Sequence, residues 1–323
     1  MDPSIRPQEW LHFLRQEYLD SFVREGGSAI KFVVPLDEQA GPTLFDDVVA
    51  CASSLGYLVA VVSAGECKVH MIDHLFFKIA EQISWEDLSE RVILKLAEEE
   101  GYEPPSDGPA SLLQRMAVRN EIDPEFLNMG LRRRIANKVF RHRKLSKDFR
   151  IAMSQICLAR LTGGPEGETT IQVLSDWLTG RNRAVSAVKP YQIFTRINRS
   201  NARHFIESVP RWVRFAGYTG ILILLDIARI SVARNPRDEQ LYYTKAAVLD
   251  AYEVLRQFID ATDRLKGCVI TVVPDAAFLD DDPLGRGIGA YEALKFRVYD
   301  EVRDRALVNP MASLLRLSSS GGI

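Results

Sequence analysis

The sequence lacks any long apolar run, any CxxC pair of cysteines and any strong excess of charge of one sign. No stretch approaches the ~20 apolar residues that a membrane-spanning helix needs. The N-terminus, MDPSIRPQEWLHF, has no basic segment followed by an apolar one, so no secretory signal is expected. The scattered cysteines Cys51, Cys67, Cys157 and Cys268 are typical of core thiols in a reducing compartment. We therefore expect a soluble, cytoplasmic protein that does not contact a membrane.

The composition is that of an ordinary globular protein. Of the 323 residues, 46% are hydrophobic and 26% are charged, which argues against long disorder and allows roughly one to two domains. The net charge is only −2, so the molecule as a whole does not attract nucleic acid. Any such role must come from a local patch of charge.

Apolar runs alternate with helical patterns towards both ends of the chain. Four of these runs, at 28–35, 57–64, 220–226 and 267–275, are rich in β-branched or apolar residues and predict buried strands. Helical patterns such as TLFDDVVACASSLG lie between them. This alternation predicts an α/β fold with a parallel sheet that is flanked by helices.

The middle of the chain has almost no strand signal. Six segments with helical periodicity lie there, separated by breaks such as EPPSDGPA and TGGPEGE. We therefore expect a large all-helical insertion at 67–210, between two halves of the core at 1–66 and 211–323.

Both ends of the chain carry further helical patterns. PQEWLHFLRQEYLDSFV predicts an amphipathic helix over residues 7–23, which Gly26 and Gly27 end. Near the other end, GAYEALKFRVYDEVRDR predicts a closing helix. The serine and glycine residues that finish the chain are expected to fray.

Two strand ends occupy the positions that a P-loop ATPase uses for its chemistry. In such a protein the first strand enters a glycine-rich GxxxxGK[ST] loop that holds the phosphates, and a later strand ends in an Asp-Glu pair. Here the first strand enters PLDEQAGPT and then a helix, which places Gly41 and Thr43 on two of the fixed loop positions. A later strand ends in Asp226. The pattern alone also fits a βαβ fold that never bound nucleotide.

The residues that would hold and hydrolyse ATP are absent from both positions. Leu36 replaces the first glycine, and Pro42 replaces the lysine that should meet the phosphates. Asp37 and Glu38 add negative charge to a loop that should attract anions. Ile227 follows Asp226 where a glutamate should activate water, so Asp226 could hold a metal but nothing beside it could start hydrolysis.

Long segments of the chain resemble a known family. They are YLDSFVREGGSAIKFVV, FTRINRSNARHFIESVPRWVRFAGYTGILILLD, and the stretch that begins YYTKAAVLDAYEVLRQF and ends at MASLLRL. These segments are similar to the ATP-binding, BrxD-like proteins of BREX bacteriophage-defence loci, a P-loop family whose function is not defined. The resemblance covers nearly the whole chain and is strongest over its last 130 residues.

The resemblance implies an AAA+/ASCE-like ATP-binding module with a helical insertion, encoded beside a helicase. Intact members carry GK[ST] and an Asp-Glu pair; by position, Thr43 matches the loop hydroxyl and Asp226 the metal-binding acid, while Pro42 and Ile227 stand at the lysine and glutamate. We interpret the chain as a pseudo-ATPase, without catalytic residues or a cofactor, that serves as a regulatory or scaffold subunit. Its expected partners are an intact P-loop paralogue, a helicase or other defence subunits.

Two other interpretations stay open. In the first, the chain is an ATPase that binds ATP and Mg²⁺ through a rearranged loop, with Gly41, Thr43 and Asp226 as the binding residues. In the second, it is a DNA-binding accessory subunit for a helicase.

The second alternative depends on a basic segment within the helical region. Its cations are Arg132, Arg133, Arg134, Lys138, Arg141, Arg143, Lys144, Lys147 and Arg150. Asp148 is the only acid among them, so a phosphate-contacting surface or a protein-binding surface is expected. Pairing with the acidic run Glu98–Glu100 is the plainer alternative. Phe140 and Phe149 are the only aromatic residues within this segment, which does not suggest base stacking.

Other charged residues raise weaker hypotheses. Arg286, in the loop LGRGIG, could act in trans on a neighbour's phosphate, although a turn arginine is the plainer interpretation. The cluster Arg196, Arg199 and Arg203 could belong to an interface or to the start of a helix.

No metal site is predicted. Cys67, His70 and His74 would share one helical face if the helix began early, but a fourth ligand is missing nearby. The acidic run 280–282 is expected to be a solvated loop.

Overall fold

The computed structural model describes residues 3–37, 39–299 and 308–320. The chain forms two compact units, one from Met1–Ile79 with Tyr218–Ile323 and the other from Ala80–Gly217. The first unit contains a parallel sheet, and the second, which is described throughout, contains only helices as regular elements. The helical unit, Ala80–Gly217, begins 13 residues and ends 7 residues later than the predicted insertion at 67–210.

The sheet has five strands in the described residues, and every pairing is parallel. The strands are β1 (Ser28–Pro35), β2 (Tyr57–Ser63), β3 (Gly220–Asp226), β4 (Cys268–Val273) and β5 (Leu314–Leu317). Their order across the sheet is β2-β3-β4-β1-β5. The predicted parallel sheet is therefore confirmed, and the four predicted strands begin and end within two residues of the observed ones.

The helices follow in chain order. They are α1 (Pro7–Phe13), α2 (Leu44–Ser54), α3 (Ile72–Ala80), α4 (Trp85–Glu98), α5 (Leu112–Arg119), α6 (Pro124–Ile135), α7 (Lys147–Thr162), α8 (Gly164–Leu178), α9 (Val185–Val188), α10 (Ala202–Phe215), α11 (Lys245–Asp260) and α12 (Glu292–Val298). Two stretches continue a helix with π-type hydrogen bonds, Leu14–Phe22 after α1 and Ala136–Phe140 after α6. All six helical segments predicted for the middle of the chain are helical.

Apolar side chains cover both faces of the sheet, as the continuous apolar runs require. On one face, Val33 and Leu222 belong to a buried cluster that also contains Leu19 from the N-terminal helix and Val48 from α2. On the other face, Phe32 stacks on Phe278 with their ring centroids 5.6 Å apart. Burial on both faces holds β1 and its neighbours in register.

The end of the chain differs from the sequence prediction. Residues 314–317 were not predicted as a strand, yet they pair with β1 and form an edge of the sheet. Residues 318–320 were expected to fray, but they form hydrogen bonds with one another and with the loop after β1. The predicted closing helix, residues 289–305, is observed as α12, and its last part, residues 300–305, lies outside the described residues.

Candidate functional site

The strand order predicts a ligand-binding crevice at the carboxyl ends of β1 and β4. From β1 the chain passes through α2 to β2, at the far side of β3 and β4. From β4 it passes in the opposite direction, beyond β1, to β5. Adjacent parallel strands whose connections leave in opposite directions open a crevice between them, and α/β proteins bind ligands there. The candidate site therefore consists of the loops after β1 and β4, with the end of β3 beside them.

The loop after β1 folds around the carboxylate of Asp37. Its Oδ1 accepts hydrogen bonds from the backbone N–H groups of Gln39 (3.1 Å) and Ala40 (2.8 Å). Its Oδ2 accepts bonds from the Ser319 N–H (2.8 Å) and from the hydroxyls of Ser318 (3.0 Å) and Ser319 (3.2 Å). These donors, with the Ser319 backbone foremost, hold the pKa of Asp37 below its usual range. Glu38 lies outside the described residues.

Asp37 was predicted only as a charge that repels phosphate, and the structure gives it a more definite position. In a phosphate-binding loop, successive backbone N–H groups point at the anion. Here two such groups point at the chain's own carboxylate. The anion that these donors bind is therefore already part of the protein.

The remaining predicted loop residues lie between Asp37 and α2. A Cβ added to Gly41 would have only the Pro35 Cβ nearby, at 3.8 Å, so this backbone does not require a glycine. Pro42 is exposed, and Thr43 precedes α2 without its hydroxyl capping the helix. The first turn of α2 carries Asp46 and a second aspartate, which already offset the positive helix terminus.

Asp226 joins the carboxyl ends of two neighbouring strands. Its Oδ2 accepts a hydrogen bond from the Ser63 hydroxyl at the end of β2 (3.1 Å), and its Oδ1 accepts one from the N–H of Ala228 (3.0 Å). Ile227 is only 1% exposed, and its N–H donates to the carbonyl of Val273 at the end of β4. The side chain that follows Asp226 is therefore part of the core.

Asp275 is a site residue that the sequence analysis did not single out. It follows β4, and its Oδ1 is buried without a hydrogen-bond partner among the described residues. Burial raises the pKa of Tyr252, and the nearby charge of Asp275 raises it further. The signal was present in GCVITVVPD, an apolar strand followed by an acid, as in the strand that ends at Asp226. Asp226 thus ends β3 and Asp275 follows β4, and these two strands are neighbours in the sheet.

Arg286 is bonded within its own unit. One terminal nitrogen donates to the carbonyls of Ile230 (2.9 Å) and Val232 (2.7 Å). The other donates to the carbonyl of Tyr243 (2.7 Å) and the hydroxyl of Tyr242 (3.1 Å). The guanidinium also lies 5.4 Å from the centroid of the Tyr242 ring. These contacts are those of a structural arginine, and the predicted role in trans stays a hypothesis.

The basic segment is not one continuous helix. It runs from the end of α6 through the π-type stretch Ala136–Phe140 and a turn at 141–146 into α7. Arg134 forms an ion pair with Glu100, as the plainer alternative expected for the segment. The other seven predicted surface residues are exposed: Arg132, Arg133, Lys138, Arg141, Arg143, Lys144 and Lys147. Phe149, which was considered for stacking, is fully buried and is a core residue.

The other candidate clusters have ordinary structural surroundings. Cys67 and His70 precede α3, and only His74 lies within it, so the three do not share a helical face. No group of three or more His, Cys, Asp or Glu residues in the described ranges could hold a metal ion. Arg203 forms an ion pair with Glu207 on α10.

Two further groups of charged residues were considered in the sequence, the arginines before α10 and the acidic run 280–282. Arg196 and Arg199 are exposed residues in the segment before α10. In the acidic run 280–282, Asp281 pairs with Lys295 at 2.5 Å, and the other two acids accept backbone N–H bonds. Among the described residues, no helix is long and apolar enough to cross a membrane.

Comparison with known proteins gives one match. A family model described as "BREX system ATP-binding protein BrxC/D" matches residues 112–320, which is more than half of the chain. The matched region includes β3, β4 and β5 but not the loop after β1. No curated protein and no solved structure matches the chain.

Proposed function

Because the chain belongs to the BREX system ATP-binding protein BrxC/D family, we propose that it is a catalytically inactive, pseudo-ATPase subunit of a bacterial antiphage defence complex. In this role the α/β unit keeps a P-loop-like (AAA+/ASCE) core but does not bind or hydrolyse ATP. The chain then contributes a regulatory or scaffold surface to the complex, and active partners supply the ATP chemistry.

The bonding of Asp37 is the observation that carries the proposal. A triphosphate on the loop after β1 would need the N–H groups of Gln39 and Ala40, and both are bonded to this carboxylate. The ligand would also have to approach the negative charge or displace it from the donors of Ser318 and Ser319. A bound phosphate gains most of its energy from such donors and from a cation. Here the donors are occupied, and Pro42 supplies no cation.

The strand order supports the P-loop-like part of the proposal. The loop after β1 opens at the crevice between β1 and β4, where an α/β protein binds its ligand. Asp226 ends β3, which is the next strand after β4 in the sheet. The position that would hold a water-activating glutamate is Ile227, whose side chain is in the core.

The competing proposal is an ATPase with a rearranged loop. The description of the family as ATP-binding favours it. So does the unpartnered Oδ1 of Asp275, which lies on the strand next to the one that ends in Asp226 and could face a hydrated Mg²⁺. In this reading the metal and nucleotide would be held by Asp226, Gly41 and Thr43.

Calorimetric titration of the full chain with Mg·ATP separates the two proposals. The pseudo-ATPase proposal predicts a dissociation constant above about 1 mM, so that the binding free energy is less favourable than about −4 kcal/mol. It also predicts no phosphate release above that of a buffer blank. Low-micromolar binding that is lost in an Asp226→Ala variant would contradict it and support the ATPase.

Variants of the loop test the stated cause. The double substitution Asp37→Gly with Pro42→Lys frees two N–H groups and adds a cation, so we expect measurable binding of Mg·ATP to appear. Asp46→Gly with Pro42→Lys is the matched control, because it removes a carboxylate from the first turn of α2 but leaves Asp37 bonded to the loop. Equal gains in the two variants would show that Asp37 does not block the site.

A further inference from the structure

Seven cations without an acidic partner among the described residues lie between the end of α6 and the first residue of α7. We define the basic ridge as Arg132, Arg133, Lys138, Arg141, Arg143, Lys144 and Lys147. All seven are exposed, and none forms an ion pair within the described parts of the chain. Several other cations of the same unit are paired with acids, such as Arg119 with Glu103 and Arg160 with two glutamates of α4. The ridge is therefore a local group of exposed positive charges that no carboxylate in the described ranges neutralises.

The charge of the ridge is not compensated by the one acid inside it. The Asp148 carboxylate accepts a hydrogen bond from the Thr195 hydroxyl, and no cation of the ridge reaches it within ion-pair distance. The surroundings of His142 agree with a positive local potential. Burial lowers the pKa of His142 first, and the charges of Arg211, Lys144 and Arg150 lower it further.

Apolar side chains share the exposed face of α6 with the cations. An α-helix turns about 100° per residue, so Phe126, Met129, Arg132 and Arg133 fall within about 120° of its circumference. The opposite side of the helix carries a stripe of buried side chains, Leu127, Leu131 and Ile135. Phe126 is 62% exposed and Met129 is 64% exposed. An aromatic ring thus lies in solvent about two helical turns before two arginines that have no acidic partner in the described chain.

This combination fits a single nucleic-acid strand better than an acidic protein or a duplex. Regularly spaced unpaired arginines and lysines meet backbone phosphates, whereas exposed aromatic rings stack on bases that are not paired. The rise of 1.5 Å per residue places Phe126 and Arg132 about 9 Å apart along the axis of α6, so a base on the ring and a phosphate on the arginine can come from neighbouring nucleotides of a flexible strand. An acidic protein surface would use the cations but would leave Phe126 without a specific partner.

We propose that the basic ridge, together with Phe126, binds single-stranded nucleic acid, with the cations on the phosphates and the ring on a base. The ridge belongs to the helical unit, so this proposal does not depend on whether the α/β unit binds nucleotide.

Fluorescence anisotropy of the full chain with a labelled mixed-sequence DNA strand of about 30 nucleotides tests the proposal. The ridge variant is Arg132→Glu, Arg133→Glu and Lys138→Glu; Arg134 is left unchanged because it pairs with Glu100. The matched control, Lys68→Glu, Lys189→Glu and Lys266→Glu, changes the net charge equally at exposed lysines outside the ridge.

We expect the ridge variant to bind at least tenfold more weakly than the control at about 0.1 M salt. For a single strand, each lost phosphate contact makes the negative slope of log K against log salt shallower by ~0.7, so the loss of three contacts makes it shallower by about 2. Equal affinity of the ridge and control variants would overturn the proposal, and so would the absence of any binding by the unsubstituted chain. Circular dichroism checks that both variants keep their helices.

The role of the ring is tested separately. Phe126→Ala is expected to weaken binding of the single strand about tenfold and to leave binding of the corresponding duplex unchanged. Phe296→Ala is the matched control, since Phe296 is also exposed, at 73%, and belongs to the α/β unit. Equal effects of the two substitutions would overturn the stacking part of the proposal. Displacement of the strand by poly-glutamate at equal charge concentration would indicate a protein-binding surface instead.

Discussion

Replacing Arg286 by alanine should destabilise the α/β unit, because the guanidinium joins the segment after β3 to the residues before α11. It donates to the carbonyls of Ile230, Val232 and Tyr243 and to one tyrosine hydroxyl. Hydrogen bonds from a charged group contribute about 1.5–3 kcal/mol each, but a partly exposed site lets water replace some of them. We therefore expect a total loss of about 3 kcal/mol, well above the ~0.5 kcal/mol of an ordinary surface substitution.

Hydrogen exchange of the amides in β3 and β4 measures this loss, because exchange through unfolding of the unit reports its local stability. Arg237→Ala is the control, since Arg237 is exposed and lies in the same unit. An Arg286→Ala variant whose exchange matches the control within about 0.5 kcal/mol would refute the structural reasoning. If such a variant also lowered the ATPase rate of a partner, Arg286 would act in trans as the sequence suggested.

Two further predictions concern acid sensitivity and packing. The Arg256 guanidinium, first among several donors, lowers the pKa of Glu253 to about 2. The ionised Glu253 therefore stabilises the folded state above pH ~4.5, and this stabilisation is lost as the pH falls through about 2. Glu253→Gln should therefore cost about 1 kcal/mol at pH 7, reduced by solvent exposure, and almost nothing at pH 2 in urea titrations. Phe149→Ala should cost about 3–5 kcal/mol in the same assay, because Phe149 is fully buried among aromatic rings. Phe140→Ala, at a side chain that is 45% exposed, should change stability by less than about 1 kcal/mol, and equal losses in the two variants would contradict the packing described.

The strands that the sequence predicted are those with enough residues to show a pattern. β1 to β4 have six to eight residues each and are apolar on both faces, which distinguishes them from helices and loops. β5 has four residues, Leu314–Leu317, and its strand conformation depends on pairing with β1. A segment this short has no periodicity of its own, so only the tertiary pairing reveals it.

The sequence predicted where the candidate residues lie in the fold but not the contacts that they make. Local sequence order places Gly41, Thr43 and Asp226 at strand ends, which a βαβ pattern is sufficient to predict. The bonds of Asp37 could not be predicted, because Ser318 and Ser319 are more than 280 residues away in sequence. The acceptors of Arg286 are mostly backbone carbonyls, which carry no sequence signal.

The basic ridge shows the same division between local and long-range information. Its charges are visible in the sequence, but their partners are not. The structure pairs Arg134 with Glu100 and leaves seven neighbouring cations exposed. It also changes the aromatic candidates: Phe149 is in the core, whereas Phe140 and Phe126, the latter nearly two turns before the predicted segment, are exposed.

A crystal structure of the full chain grown with saturating Mg·ATP would test the central claim most directly. The account predicts that the Asp37 carboxylate remains bonded to the N–H groups of Gln39, Ala40 and Ser319 and that no triphosphate lies over the loop. A triphosphate bound at Gln39 and Ala40, with Asp37 turned away from them, would contradict it.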